Sequence, residues 1–371
     1  MRLCAFLIFG LALLAAPPRS AASDLPIGFA SPLSGPLWRT GERHHIAIEM
    51  AVRDLNEKGG VLGRKVTLVA ADDGCGTKRA ITAARRLVDA GVRVVIGHLC
   101  SHSSLLAAGI YEVADVLMIS PSSTHPRLTE EGRRNVFRLN GRDDDQGKLA
   151  GNFLADRFAG RRIAILHDGS VYGAGLAEEA RRQLRARGVI EAIYGAYTPN
   201  APDYADVLAR LRRAQIDVLY VGGYGPDAAL ILRGAREHGD DVRLIGGDAL
   251  GMDGFWAIAG DLGEGTIFSY RPDVRDRPDA AKLLERFERR GLTARLGGLN
   301  TYAAVQVWAQ AVERAGTLEL SAVAAALRRG RFDTVLGPVA FDDKGDLEDA
   351  AWQWKVWTEG NYVPLGRFAT Q

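Results

Sequence analysis

Six of the seven residues from His98 to Ser104 carry an imidazole, a thiol or a hydroxyl: His98, Cys100, Ser101, His102, Ser103 and Ser104. A second polar cluster, Ser122-Ser123-Thr124, lies about twenty residues on. Hydroxyls and free backbone N–H groups at a helix start suit a small anion such as a carboxylate. A carbonyl and a hydroxyl at Ser122 and Thr124 suit an ammonium group. A carboxylate beside an ammonium is the head of a free amino acid. Ordinary capping and turn residues have the same composition, so both readings stand on this stretch alone. Hydrolysis is the weaker use of these residues. Ser, His and Asp are all present, but no GxSxG occurs, and the spacing of His98 and His102 about Ser101 fits no catalytic or metal motif; a turn or core role suits them better. There is no Walker loop, and no GxGxxG follows the first strand, so neither a nucleotide nor any other cofactor is expected, nor is an enzyme.

The elements that must position these groups are legible around them. Val94–Gly97 and Val116–Ile119 are short apolar runs, separated by a helix over Leu105–Ala114 with apolar residues at helical spacing. A right-handed crossover makes the two strands parallel neighbours, and both hydroxyl-rich turns then leave at carboxyl ends. That is where open α/β sheets bind ligands. Upstream, strands over Pro26–Ala30 and Lys65–Ala71 alternate with helices over residues 41–58 and 78–90. A second series begins after the strand Val136–Leu139. Helices over 146–158, 176–187, 204–213 and 226–238 alternate with strands over 162–167, 192–197, 218–222 and 244–246. Later come a strand at 265–269, helices over 280–290, 300–315 and 321–329, and strands at Thr334–Phe341 and Gln353–Thr358. The pattern predicts an α/β protein of two doubly wound parallel lobes, with enough chain after the second to cross between them more than once.

Three further positions of the second half could do chemistry. Tyr172 and Tyr224 stand in turns after strands of the second series; Tyr offers flat apolar area plus a hydroxyl, and a structural turn role is the other reading. Asp248 follows two glycines at a strand end, and a carboxylate there can form a charge-assisted bond or cap the segment after it. Asp143-Asp144-Asp145 lacks calcium-loop spacing and sits before a helix, so it reads as helix-start charge.

Composition bounds the setting. The chain has 371 residues, 47% apolar, enough for two domains with a sizeable core. Residues 1–22 read as a secretory signal peptide: Arg2, an apolar run from Leu3 to Ala16 and Ser20-Ala21-Ala22. The apolar run is short for a membrane span. Cleavage takes away Arg2 and Arg19 and no acids, so the net charge of +2 falls to about zero. That argues against a nucleic-acid partner. Cys4 leaves with the signal. Cys75 and Cys100 remain, and an even pair in an oxidising compartment points to one disulfide, with two inert thiols as the other reading.

Ten stretches carry a resemblance: SGP (34–36), DLNEKGG (54–60), ADDGC (71–75), VIGHLCS (95–101), LMISPSST (117–124), DDDQG (143–147), HDGSVYGAGLA (167–177), VGGYGP (221–226), TYAAVQ (301–306) and FDDKGDL (341–347). In order and spacing, the chain resembles the type I periplasmic solute-binding proteins of ABC importers, in the Leu/Ile/Val-binding branch. The resemblance implies two Rossmann-like lobes joined by three crossovers, near 140–142, 270–272 and 347–351. The lobes would be residues 23–140 plus 272–348 and residues 141–271 plus 349–371. It places a disulfide on Cys75 and Cys100, the carboxylate-binding serine on Ser101, contacts to the ligand head on Ser122 and Thr124, two tyrosines on Tyr172 and Tyr224, and the ammonium's acidic partner on Asp248. Trp38 falls in the pocket wall. It further implies a periplasmic, monomeric protein that passes an amino acid, branched-chain by default, to a membrane permease. An amide, a urea or an aromatic acid as ligand, or service as a ligand sensor for a signalling receptor, are the alternatives. There are departures. Position 248 usually holds Glu, Thr40 stands where an aromatic is common, and Gly297-Gly298-Leu299 lacks an aromatic of close relatives. These changes imply a side-chain pocket that is wider or differently shaped.

Overall fold

A computed structural model describes residues 23–272, 277–290 and 296–367. The signal-peptide reading of residues 1–22 lies outside them. The first lobe is built on five parallel strands: β1 (Leu25–Ser31), β2 (Val66–Asp72), β3 (Val94–Gly97), β4 (Leu117–Ser120) and β5 (Val136–Arg138), in the order β2-β1-β3-β4-β5. Their near-continuous apolar sequences follow from burial on both faces. Alternate residues part to opposite sides. Ile27, Phe29, Ile96 and Ile119 enter one core, while Ala30, Val95 and Met118 enter another. The first core is closed by α1 (Trp38–Glu57), α11 (Leu296–Ala315) and α12 (Leu320–Arg329), with Trp308 fully buried at its centre. The second is closed by α2 (Thr77–Asp89) and α3 (Ser101–Val113).

A short α4 (Arg127–Glu130) precedes β5, and α5 (Asp143–Arg157) opens the second lobe. There β6 (Ile163–His167), β7 (Ile193–Ala196), β8 (Val218–Gly222), β9 (Arg243–Gly246) and β10 (Ile267–Tyr270) are parallel neighbours. β13 (Gln353–Thr358) and β14 (Asn361–Pro364) extend the same sheet antiparallel, giving β14-β13-β10-β9-β8-β6-β7. Helices α6 (Val171–Ala186), α7 (Ala205–Arg213), α8 (Gly225–Glu237) and α9 (Asp253–Ala259) complete it; α10 (Ala281–Glu288) returns to the first lobe.

Three departures from the sequence reading have local causes. Ser101–Ser104 form the first turn of α3 rather than a loop, and Tyr172 stands in the first turn of α6. The latter helix starts early because Ser170 accepts the Gly173 N–H at 2.9 Å. The single strand expected over Thr334–Phe341 is instead a hairpin of β11 (Arg331–Thr334) and β12 (Gly337–Ala340). Gly337 turns the chain at φ 98°, and the Thr334 hydroxyl donates to its carbonyl at 2.8 Å.

The chain crosses between the lobes after β5, after β10 and before β13. The first and third crossings are tied by one buried carboxylate. Asp346 accepts from Arg138 Nε at 2.8 Å, from the Thr129 hydroxyl at 2.9 Å and from Arg142 Nη1 at 2.8 Å. Trp352 Nε1 donates to the Arg142 carbonyl at 3.1 Å. Arg142 also pairs with Asp144, so the acidic triplet is spread apart: Asp144 on Arg142, Asp145 on Lys148, Asp143 inward.

Candidate functional site

On the first lobe, the carboxyl ends of β3 and β4 bring the two hydroxyl-rich segments together. Ser101 Oγ accepts from the backbone N–H groups of Thr124 and His125, each at 3.3 Å. Its own O–H is left to donate. Three other hydroxyls of these segments are structural: Ser104 and Ser123 bond each other at 2.7 Å, and Ser120 and Ser123 donate to the His98 carbonyl at 3.0 and 3.3 Å. His98 is a core residue, its Nδ1 2.5 Å from Asp73 Oδ2 and its Nε2 3.0 Å from the Tyr111 hydroxyl. His102 bonds Thr77 at 2.8 Å. Cys75 and Cys100 form a disulfide with Cα atoms 5.6 Å apart, fastening the turn before α2 to the residue that precedes Ser101.

On the second lobe, Tyr172 and Asp248 are buried and joined, the phenol donating to Asp248 Oδ1 at 2.9 Å. Tyr172 reaches that position because α6 starts directly over β8. A Cβ on Gly173 would lie 2.5 Å from the Gly222 carbonyl oxygen. Asn140, in the first crossing, spans the two lobes. Its amide donates to the Ser122 carbonyl at 2.9 Å and to Asp248 Oδ2 at 3.3 Å. Tyr224, at the start of α8, packs its ring against Tyr172 with centroids 5.3 Å apart and against Leu37, Leu99 and the disulfide of the opposite lobe. All six predicted residues other than Trp38 are therefore carried to one interlobe seam.

The electrostatics of that seam favour a cation. Burial pushes the Asp248 carboxyl up from its usual range, and the hydrogen bonds it receives, from Tyr172 first, pull it back only in part. Asp143 is pushed up further, by burial and then by Asp248, and among the described residues its Oδ2 has no hydrogen-bond partner. Gln146, turned so that both ends of its amide are satisfied, donates to Asp143 Oδ1 at 3.2 Å and accepts the Asp248 N–H at 3.0 Å. Two desolvated carboxyls in one seam are relieved when an ammonium enters.

Trp38 does not join them. It is 41% exposed, with the Arg39 guanidinium 4.7 Å from its ring centroid. The wall is provided one turn further along α1 by Thr40, Arg43 and His44. With Ser122, Asn140 and Asp248 they line an inner cavity of about 30 Å³, room for roughly one water. An outer cavity of about 360 Å³ opens between Leu37 and Cys75 on one side and Asp168, Ser170 and Tyr224 on the other. Arg43 Nε lies 2.5 Å from Asp253 of α9, closing the seam between lobes. The described state is thus a shut one, and a whole amino acid requires the lobes to part. Asn140 and His44 join the seam without having been expected there, and Asp143, expected only as helix-start charge, turns inward to it. Asp143 alone had a signal, as the first acid of the DDDQG stretch.

Two α/β lobes shut over a seam of paired polar groups define a two-lobe ligand-binding protein. The chain belongs to the periplasmic binding protein family, whose model matches residues 24–356. It is 36% identical over 347 residues to the Leu/Ile/Val-binding protein homolog 1 of Brucella suis, covering 92% of this chain and 94% of that one. It is 36% identical over 330 residues to the leucine-, isoleucine-, valine-, threonine- and alanine-binding protein of Pseudomonas aeruginosa, covering 89% and 88%. The crystal structure of the leucine-binding protein LivK of Thermotoga maritima superposes with a TM-score of 0.83 at 27% identity, over 92% of this chain and 97% of that one. Among the described residues, no helix is long and apolar enough to cross a membrane.

Proposed function

We propose that the chain is the exported, periplasmic substrate-binding component of an ABC importer, which captures a free amino acid between its lobes and releases it unchanged to a membrane permease. The lobes are residues 23–140 plus 272–348 and residues 141–271 plus 349–371. The observation that carries the reading is the buried Tyr172–Asp248 pair, bridged by Asn140 to the Ser122 carbonyl of the opposite lobe. The ligand carboxylate docks on the Ser101 hydroxyl and the N-terminus of α3. The ammonium lies among the Ser122 carbonyl, Thr124 and Asp248. Tyr172 and Tyr224 close over the head. Contacts made by both lobes exist only in the shut form, so the ligand shifts the population toward it. The relatives' names make Leu, Ile and Val the first ligands to try.

Asp248→Ala removes the charge that faces the ammonium and is expected to weaken amino-acid binding ten-fold or more in calorimetry. Unchanged affinity in a folded variant would remove Asp248 from the site.

A further inference from the structure

The inner cavity differs in chemistry from a pocket for an apolar side chain, and His44 carries the difference. The His44 ring is buried in α1. Its Nδ1 is 2.8 Å from the Thr301 hydroxyl oxygen, and that hydroxyl donates its one proton to the Gly297 carbonyl at 3.0 Å. Thr301 must then accept, so the proton of the ring sits on Nδ1. Burial, with Arg43 adjacent, lowers the His44 pKa to about 3, so there is no second proton. Nε2 is a bare lone pair, and among the described residues it has no hydrogen-bond partner. It occupies the space above Gly297: a Cβ there would lie 2.6 Å from it. An aromatic side chain at 297 and this imidazole therefore exclude each other. Arg271 lines the same cavity, and its buried Nη1 also has no hydrogen-bond partner among the described residues.

Among the described residues, the pocket thus presents His44 Nε2 as an acceptor without a donor and Arg271 Nη1 as a donor without an acceptor. From this juxtaposition we infer that the ligand is an amino acid whose side chain ends in a neutral group that both donates and accepts, a carboxamide of the asparagine or glutamine kind. The inference rests on the proposed amino-acid reading of the same seam. A carboxamide N–H meets His44 Nε2 and its C=O meets Arg271 Nη1. An aliphatic side chain would bury both groups without partners, which weakens binding roughly ten-fold or more. A carboxylate side chain would satisfy Arg271 but face the His44 lone pair, and an ammonium or guanidinium side chain would satisfy His44 but face Arg271. Each charged class leaves one of the two atoms unpaired, and the carboxamide leaves neither.

The test is calorimetry on the unliganded full-length mature protein with Gln, Asn, Leu, Ile, Val, Glu and Lys. Gln or Asn binding at least ten-fold more tightly than Leu is the expected result. His44→Leu, checked for folding by circular dichroism, should narrow that ratio to a few-fold or reverse it. Since the ranking on the parent protein needs no variant, a His44→Leu chain that fails to fold leaves the test intact. Leu, Ile or Val equalling or surpassing Gln and Asn overturns the carboxamide assignment and leaves the amino-acid reading standing, as does Glu or Lys binding best. Binding of none of the seven overturns the amino-acid reading, and the carboxamide assignment with it.

Discussion

At the scale of single residues, protonation decides much of what the seam can do. His44 has a folded pKa of about 3 against an ordinary 6.5. A lowered folded pKa means that the folded protein binds fewer protons, so the contribution of His44 is fully present above pH 6.5 and is lost as pH falls toward 3. Within that window the slope is about 1.4 kcal/mol per pH unit. Gln at position 44 keeps a group able to bond Thr301 but takes no proton. His44→Gln is therefore expected to lose less stability than the parent between pH 6.5 and 4 in urea titrations. Parallel loss in both would show that His44 does not charge on unfolding. Asp248 and Asp143 lie on the other side of the argument, pushed up by burial and so inclined to hold protons until a cation arrives. Of these residues, Asp248 stood out in the sequence as a carboxylate after two glycines at a strand end, where capping the next segment is its other use. His44 and Asn140 were not. Their partners, Thr301 and Asp248, lie more than a hundred residues away, and no local pattern encodes such a meeting.

At the scale of elements, the strands and helices of both lobes were readable because the strands are short apolar runs set off by polar or glycine-rich turns; β1, β2, β3, β4, β8 and β9 end in Ser, Asp or Gly. Where β3 and β4 end, the binding turns begin, so the general place of the site was readable too. What was misjudged was the start of helices. Ser101 and Tyr172 were placed in turns, and both are helical, since Cys100 and Ser170 take the extended capping position instead. The hairpin of β11 and β12 was missed because its turn rests on one positive-φ glycine amid strand-forming residues. The disulfide acts at this scale. It closes a separation of 25 residues and fixes the first turn of α3 against the end of β2. A loop of that size constrains the unfolded chain by about 3 kcal/mol. Cys75→Ala with Cys100→Ala should lower the melting temperature more than it changes ligand affinity. An equal melting temperature with and without reductant would argue against the bridge.

At the scale of the whole molecule, the two lobes are held by covalent crossings and by a few polar contacts across the seam. Asp346 is the shared acceptor for Arg138, Thr129 and Arg142 where two crossings run side by side. Its carboxyl is held below the usual range despite burial, chiefly by the charge of Arg138. Asp346→Ala leaves the fully buried Arg138 guanidinium without its counter-charge, which is expected to destabilise the protein by roughly 3–5 kcal/mol. Chemical denaturation measures this, and a loss below about 1 kcal/mol would mean that the crossings are fixed by other contacts. The two-lobe plan was evident from the repeated βα series. The shut arrangement was not, because it depends on contacts such as Arg43 to Asp253 that join helices of different lobes.

The central claim is that the seam recognises the two charges of an amino-acid head. Calorimetry on unliganded protein, comparing glutamine with 4-carbamoylbutanoate and leucine with 4-methylpentanoate, isolates the ammonium while leaving each side chain and carboxylate in place. The account predicts that whichever amino acid binds loses at least ten-fold in affinity when its amino group is removed. Equal or tighter binding of the bare acid would contradict it.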